Sequence, residues 1–236
     1  MDIYLIWDRF EITPTIFNAI LITILLSIFF IICKTKIEKA DPTKPTKGLM
    51  FLMELLVTGV EGFAKTTMGE KNTNYAPFIG TLIIFLAVAN LFGLFGLTPP
   101  TSDYSVTLAL ALTTVMYIAI SGIKRKGFGT YLKDTFLGDM PFLLPINIMG
   151  EITKPVSLSL RLFGNILSGT LIIAVLMGMM NWFSIILFPL LNAYFDIVAG
   201  LMQTLIFCML TMIWLQSAVE IREPKPKKKK LKKQEA

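Results

Sequence analysis

The chain has 236 residues, 54% of them apolar and only 16% charged, with a formal charge of +6 and no histidine. Globular chains carry about a quarter charged residues. Here residues 12–33, 76–97 and 105–123 carry none, and 155–219 carry only Arg161 and Asp196, which excludes an ordinary soluble domain. The missing histidine removes the commonest metal ligand and acid–base group. The charge excess lies mostly in 225–233, beside an apolar run, and reads as a topology signal with affinity for membrane lipid, not as a nucleic-acid footprint.

About 20 helical residues at 1.5 Å rise cross a 30 Å hydrocarbon core. In chain order, the N-terminus carries Asp2, Asp8 and Glu11, not the basic start of a signal peptide, and 14–33 is the first span. The basic cluster Lys34 to Lys47 follows. Within 49–70, Glu54, Thr58, Glu61 and Lys65 recur at helical spacing, so this segment reads as an amphipathic helix along the interface. Spans are expected over 76–97 and 105–123, joined by the turn 98–103. A second basic cluster, Lys124-Arg125-Lys126 with Lys133, precedes 142–180 and 183–218, which turn near Asn181-Trp182. The basic tail 220–236 closes the chain.

Placing all three basic clusters in the cytoplasm makes the crossings between clusters even in number. The result is an all-α integral membrane protein of five transmembrane helices plus one interfacial amphipathic helix, a single membrane domain over 1–236. Its N-terminus lies outside and its C-terminus in the cytoplasm of a cell membrane. The last two spans exceed the bilayer thickness and should be long and tilted. Cys33 and Cys208 are isolated thiols, suggesting neither a disulfide framework nor a metal site. No internal repeat is visible.

Arg161 is the anomaly, because an arginine at the bilayer centre costs about 2.5–3.5 kcal/mol on insertion scales. Lys154, seven residues earlier, suits a snorkelling role; Arg161 is deeper. Ser157, Arg161, Asn165 and Ser168 share one helix face, with Gly164 and Gly169 beside it for close packing. Asn192, Asp196, Ala199 or Gly200, and Gln203 form a second stripe in the last span. Two readings of Asp196 stand: a permanent ion pair with Arg161, or a carboxylate lining a wet path and exchanging protons with it. Asn90, Asp103, Asn147 and Glu151 are further polar groups fit either for such paths or for packing.

The stretch 154–165, Lys-Pro-Val-Ser-Leu-Ser-Leu-Arg-Leu-Phe-Gly-Asn, resembles the signature of the a subunit of F-type ATP synthase, bacterial type. Asn90-Leu91-Phe92-Gly93, Asp103 with Val106-Thr107-Leu108-Ala109, and Gln203 extend the resemblance over most of the chain from about residue 76. It implies a non-catalytic stator subunit, without cofactor or bound nucleotide, that conducts ions past a rotating c-subunit ring. Further implied partners are the b-subunit peripheral stalk, the remaining subunits of the complex and membrane lipid. By the same resemblance Arg161 faces the ring's carboxylates and separates two offset half-channels. Asn165 and Gln203 are its polar neighbours, Asp196 belongs to the outer half-channel, and Glu151 to the cytoplasmic side. Many relatives place an acid where this chain has Thr170 and a histidine where it has Asp196. The chain thus carries its titratable group on the last span only.

The competing reading is a self-contained secondary transporter or channel built on an intramembrane Arg–Asp pair; two pseudo-symmetric halves with broken helices would favour it, and none is visible. A membrane-embedded enzyme fails on inventory, with no histidine and no nucleophile–base pair. Proton and sodium coupling both remain open, and a bacterial source is expected from a short N-terminus without a transit peptide.

Overall fold

The computed structural model describes residues 5–7, 10–38, 48–95, 97–137, 142, 144–179 and 184–220. The turn expected at Asn181-Trp182 and the basic tail beyond Glu220 lie outside the described residues. A short hairpin opens the fold, β1 (Leu5–Trp7) against β2 (Phe10–Ile12), with Trp7 opposite Phe10. No sequence signal marked it. Helix α1 (Pro14–Glu38) begins on a proline, whose missing N–H costs nothing in a first turn.

Helix α2 (Leu49–Met68) lies between Gly48 and Gly69, whose positive φ of 65° and 77° turns the chain in and out of it. A 3₁₀ turn (Glu70–Tyr75) leads into α3 (Ala76–Leu91), which ends in a second 3₁₀ turn, Phe92–Phe95. Helix α4 (Tyr104–Lys126) stops at Gly127, φ 82°, and short α5 (Phe128–Leu132) runs into a π-turn, Lys133–Leu137. The 36-residue α6 (Leu144–Met179) measures about 54 Å at 1.5 Å rise, well beyond a hydrocarbon core. Helix α7 (Ser184–Ala193), a π-turn (Tyr194–Ala199) and α8 (Gly200–Val219) complete the order.

Among the described residues, five helical stretches are long and apolar enough to cross a membrane: Pro14–Glu38, Glu70–Leu94, Tyr104–Lys126, Leu144–Met179 and Pro189–Val219. The all-α membrane architecture read from the sequence is therefore the one observed. Helix α2, bearing Glu54, Glu61 and Lys65, is not among the five.

Helix α8 is the hub. Its Phe207, Cys208, Met212 and Leu215 are fully enclosed and meet Ile79 and Leu86 of α3, Ala111 of α4, and Leu158 and Leu162 of α6 in one cluster. Ala64 and Met68 bring the end of α2 into it. The outer faces carry Leu, Ile and Met instead, as a lipid environment permits. Most buried polar residues between the helices are small. Helix α4 buries Thr107, Ala111, Thr114, Ser121 and Gly122, a seam that lets helices approach closely. Thr114 and Thr211 donate to the carbonyls of Leu110 and Phe207 in their own helices, leaving no orphaned hydroxyl.

At the far end of α4 the buried Tyr131 folds back over Gly122, where a Cβ would stand 2.4 Å from the Tyr131 ring and 3.2 Å from the Ala218 carbonyl oxygen. Lys126 pairs there with Asp134 at 3.4 Å and reaches the Ser217 carbonyl at 3.4 Å. Gly122→Ala should overpack this corner by about 1–3 kcal/mol. The thermal midpoint of the detergent-solubilised chain is expected to fall; an unchanged midpoint would remove this contact from the account.

Candidate functional site

Asp196 lies in the π-turn of the last span, where the Gly200 N–H donates back to the Phe195 carbonyl, five residues earlier. Such turns insert a residue into the helix and re-aim its side chains. The last span is therefore not the single α-helical stripe that the spacing of Asn192, Asp196, Gly200 and Gln203 suggests. Asn192, Asp196 and Gly200 border a common cavity, whereas Gln203 is buried a turn further on and does not line it.

That cavity measures about 360 Å³. Asn165 and Thr170 enter it from α6, Asn192 and Asp196 from the last span, and Asn90 and Ser102 from the α3–α4 side. At about 30 Å³ per molecule it takes on the order of ten waters. The exposed Leu97 and Thr98 on its wall put its mouth at the end of the bundle that carries the α3–α4 connection.

Asn90 holds the cavity's inner edge. Its amide donates to the Gly200 carbonyl at 3.0 Å and to the Thr204 hydroxyl at 3.1 Å, while Thr101 donates to its oxygen at 3.0 Å. Thr204 in turn donates to the same Gly200 carbonyl. With both donors and its acceptor engaged, Asn90 pins the π-turn to α3 and the α3–α4 connection.

Arg161 is half-buried on α6 and does not line the cavity. Its Nη1, the Asp196 Oδ2 and the Gln203 Nε2 are enclosed without hydrogen-bond partners among the described residues. Among the described residues no carboxylate oxygen lies within 4.0 Å of the guanidinium, so the permanent Arg161–Asp196 ion pair, one of the two readings of Asp196, is not formed there. Ser168 shares the Arg161 stripe but is exposed and donates to the Gly164 carbonyl at 2.6 Å.

The remaining sequence candidates sit at the two ends. Glu151 pairs with Lys154, whose ammonium also lies 5.9 Å from the centre of the Trp214 ring, giving both members of the pair a partner. Burial, and after it the charge of Glu151, push the Tyr131 hydroxyl pKa up. Asn147 donates to the Phe136 carbonyl at 3.0 Å, a tie to the α5–α6 connection. Asp103 caps α4 by accepting from the Ser105 N–H at 2.8 Å and accepts from the Thr15 hydroxyl at 3.0 Å. Asn18 reinforces that junction through the Thr98 carbonyl at 2.9 Å.

A larger depression of about 480 Å³ between α1, α2 and α3 holds one ionisable group, Glu61, so the convergent polar chemistry belongs to the smaller cavity. Among the described residues no three His, Cys, Asp or Glu come together as metal ligands.

Comparison with known proteins identifies the family. The family model described as ATP synthase A chain matches residues 15–216, which contain the cavity, Arg161 and the α8 hub. The chain belongs to this family. It is similar to ATP synthase subunit a of Geobacter sulfurreducens, 35% identical over 86% of this chain and 88% of the relative. Subunit a 1 of Crocosphaera subtropica is 31% identical over 94% of each chain. Subunit a 2 of Acaryochloris marina is 35% identical over 72% and 71%. As a member, the chain is the ion-translocating, non-catalytic membrane subunit of an ATP synthase, and the enzyme is the complex as a whole.

Within the family frame, sequence reasoning singled out Asn90, Asn165 and Asp196, which the fold brings together. It named Thr170 only as a position where relatives place an acid, and Gly93 only as part of the stretch that carries the resemblance; both border the same cavity. The Thr170 hydroxyl also donates to the Leu167 and Ile166 carbonyls of its own helix.

Asp103 yields a pH prediction. The Ser105 backbone N–H, with smaller help from Thr15, holds its pKa below the ordinary 3.8 against partial burial. A depressed carboxylate contributes stability above its unfolded pKa and loses it as pH falls through the folded one. Protection of the Ser105 amide against hydrogen exchange should therefore persist at about pH 5 and decline as the pH drops below about 3.8. Protection that stays flat across that interval would exclude the charged cap.

Proposed function

We propose that this subunit conducts ions, protons or sodium, through two offset half-channels beside a ring of c subunits, with Arg161 as the barrier between them. The observation that carries the proposal is the order of groups along α6. Asn165 and Thr170 border the cavity with Asp196; Arg161 lies about 6 Å back along the helix axis from Asn165, and the Glu151–Lys154 pair lies further back, Lys154 about 10 Å and Glu151 about 15 Å from Arg161. The arginine thus stands between polar groups at opposite depths, without a carboxylate of its own among the described residues.

In this reading the cavity is the outer half-channel, and Asp196 passes ions between it and the ring. Asn165, Gln203 and Ser168 are polar neighbours of the Arg161 region. Asn90 and Asp103 hold the channel's walls, and Glu151 belongs to the cytoplasmic path. A fixed guanidinium stabilises the ionised form of a ring carboxylate and favours ion release on one side. Each charge crossing brings about 2.3 kcal/mol per 100 mV, so several crossings must be coupled mechanically to one ATP. The b-subunit peripheral stalk holds the subunit against the turning ring. The N-terminus faces outside and the basic tail the cytoplasm, where it meets anionic lipid. The amphipathic α2 lies along the interface in a single membrane domain. A self-contained transporter built on an Arg–Asp pair is disfavoured, because that pair is not formed among the described residues.

Reconstituted complex carrying Arg161→Ala should lose ATP-driven ion pumping while its catalytic head continues to hydrolyse ATP. Pumping at the parental rate would overturn the barrier role. With the head stripped, Asp196→Asn should slow passive ion conductance through the membrane sector on the order of tenfold or more. Undiminished conductance would leave Asp196 a packing residue.

A further inference from the structure

Gly93 lies in the 3₁₀ turn Phe92–Phe95 that ends α3, and its bare Cα faces the carboxyl group of Asp196. A Cβ on Gly93 would stand 2.6 Å from Oδ2, 2.9 Å from Cγ and 2.9 Å from Oδ1. All three separations fall below any Cβ contact that proteins tolerate, so even alanine does not fit beside the carboxyl group where it now lies.

The backbone carrying Asp196 has little room to retreat. The Gly200 carbonyl at the end of the π-turn is held by Asn90 and Thr204, and the Asn90 Cβ would lie 3.0 Å from a Cβ on Gly200. On the other side, the Phe195 ring would lie 3.2 Å from a Cβ on Gly169 of α6. A side chain at position 93 therefore displaces the carboxyl group in preference to the helix. Among the described residues the Asp196 Oδ2 has no hydrogen-bond partner, although Asp196 borders a polar cavity, and Gly93 borders that cavity as well.

We propose that Gly93 is a positioning residue for ion translocation: its missing side chain is the seat of the Asp196 carboxyl group and fixes where in the cavity that group stands. The inference rests on the reading of Asp196 as a group on the ion path. It adds that the position of the carboxyl group, set by a glycine on a different helix, is part of the function. It also makes positions 93 and 196 interchangeable donors of one carboxyl group. A carboxyl group branching from Gly93 would occupy nearly the volume that the Asp196 group now fills, provided the latter is removed.

The test uses the full complex in inverted membrane vesicles, with the catalytic head stripped and passive proton conductance driven by a potassium diffusion potential. Gly93→Ala should lower conductance on the order of tenfold, with the subunit present at parental amount in the membrane. Parental conductance in that variant would overturn the proposal. The reciprocal pair Gly93→Asp with Asp196→Ala should conduct several-fold better than Asp196→Ala alone. Failure of the pair to exceed Asp196→Ala would overturn the proposal too, and this comparison decides if Gly93→Ala does not accumulate. Should Asp196→Ala itself conduct normally, the reading of Asp196 falls and this inference with it. Impaired Asp196→Ala beside normal Gly93→Ala removes only the role of the glycine.

Discussion

Inside hydrocarbon a polar group without a partner costs several kcal/mol, and a charge costs more unless it meets a counter-charge or water. Most buried hydroxyls of this protein meet that constraint locally, by bonding a carbonyl of their own helix, as Thr114, Thr204 and Thr211 do. Among the described residues, three side chains do not: Arg161, Asp196 and Gln203 each keep an enclosed nitrogen or oxygen without a partner. They occupy α6 and the last span, the two long helices that exceed the bilayer thickness. Under the proposed function two of these groups find partners from outside the chain, Asp196 in water of the adjoining cavity and Arg161 in a carboxylate carried past by the ring.

The packing explains how such a site stays open. Helix α8 gathers α2, α3, α4 and α6 around one apolar cluster, and small residues on α4 bring the helices close. Near Asp196 the packing changes character. Gly93, Gly169 and Gly200 present bare backbone against which Asp196, Phe195 and Asn90 pack closely, and the cavity opens beside them at the π-turn. Asn90 prevents collapse because its hydrogen bonds span α3, the α3–α4 connection and α8 at fixed length. The tight α8 core and the loose cavity are thus adjacent parts of one arrangement, the first holding the backbones that line the second.

The opposite end of the bundle is closed by ion pairs. Glu151 with Lys154, and Lys126 with Asp134, are formed within the protein, so these charges are balanced without help. Arg161 differs from these charges in having no carboxylate within salt-bridge distance among the described residues, a distinction that burial alone does not make.

Sequence by itself determined the membrane environment, the five crossing helices and the exceptional status of Arg161, because these depend on uncharged run length and on one charge within it. It also marked Asn90, Asn165 and Asp196 as polar groups in apolar helices. Tertiary structure decided which of them share a cavity, that Arg161 and Asp196 remain apart, and that Ser168 and Asp103 bond their own local backbone. It alone revealed the π-turn, which breaks the regular spacing on which a stripe argument rests, and the seat of Asp196 on Gly93. The physical reason is that a glycine's contribution is space, and space is defined only by the neighbours that approach it.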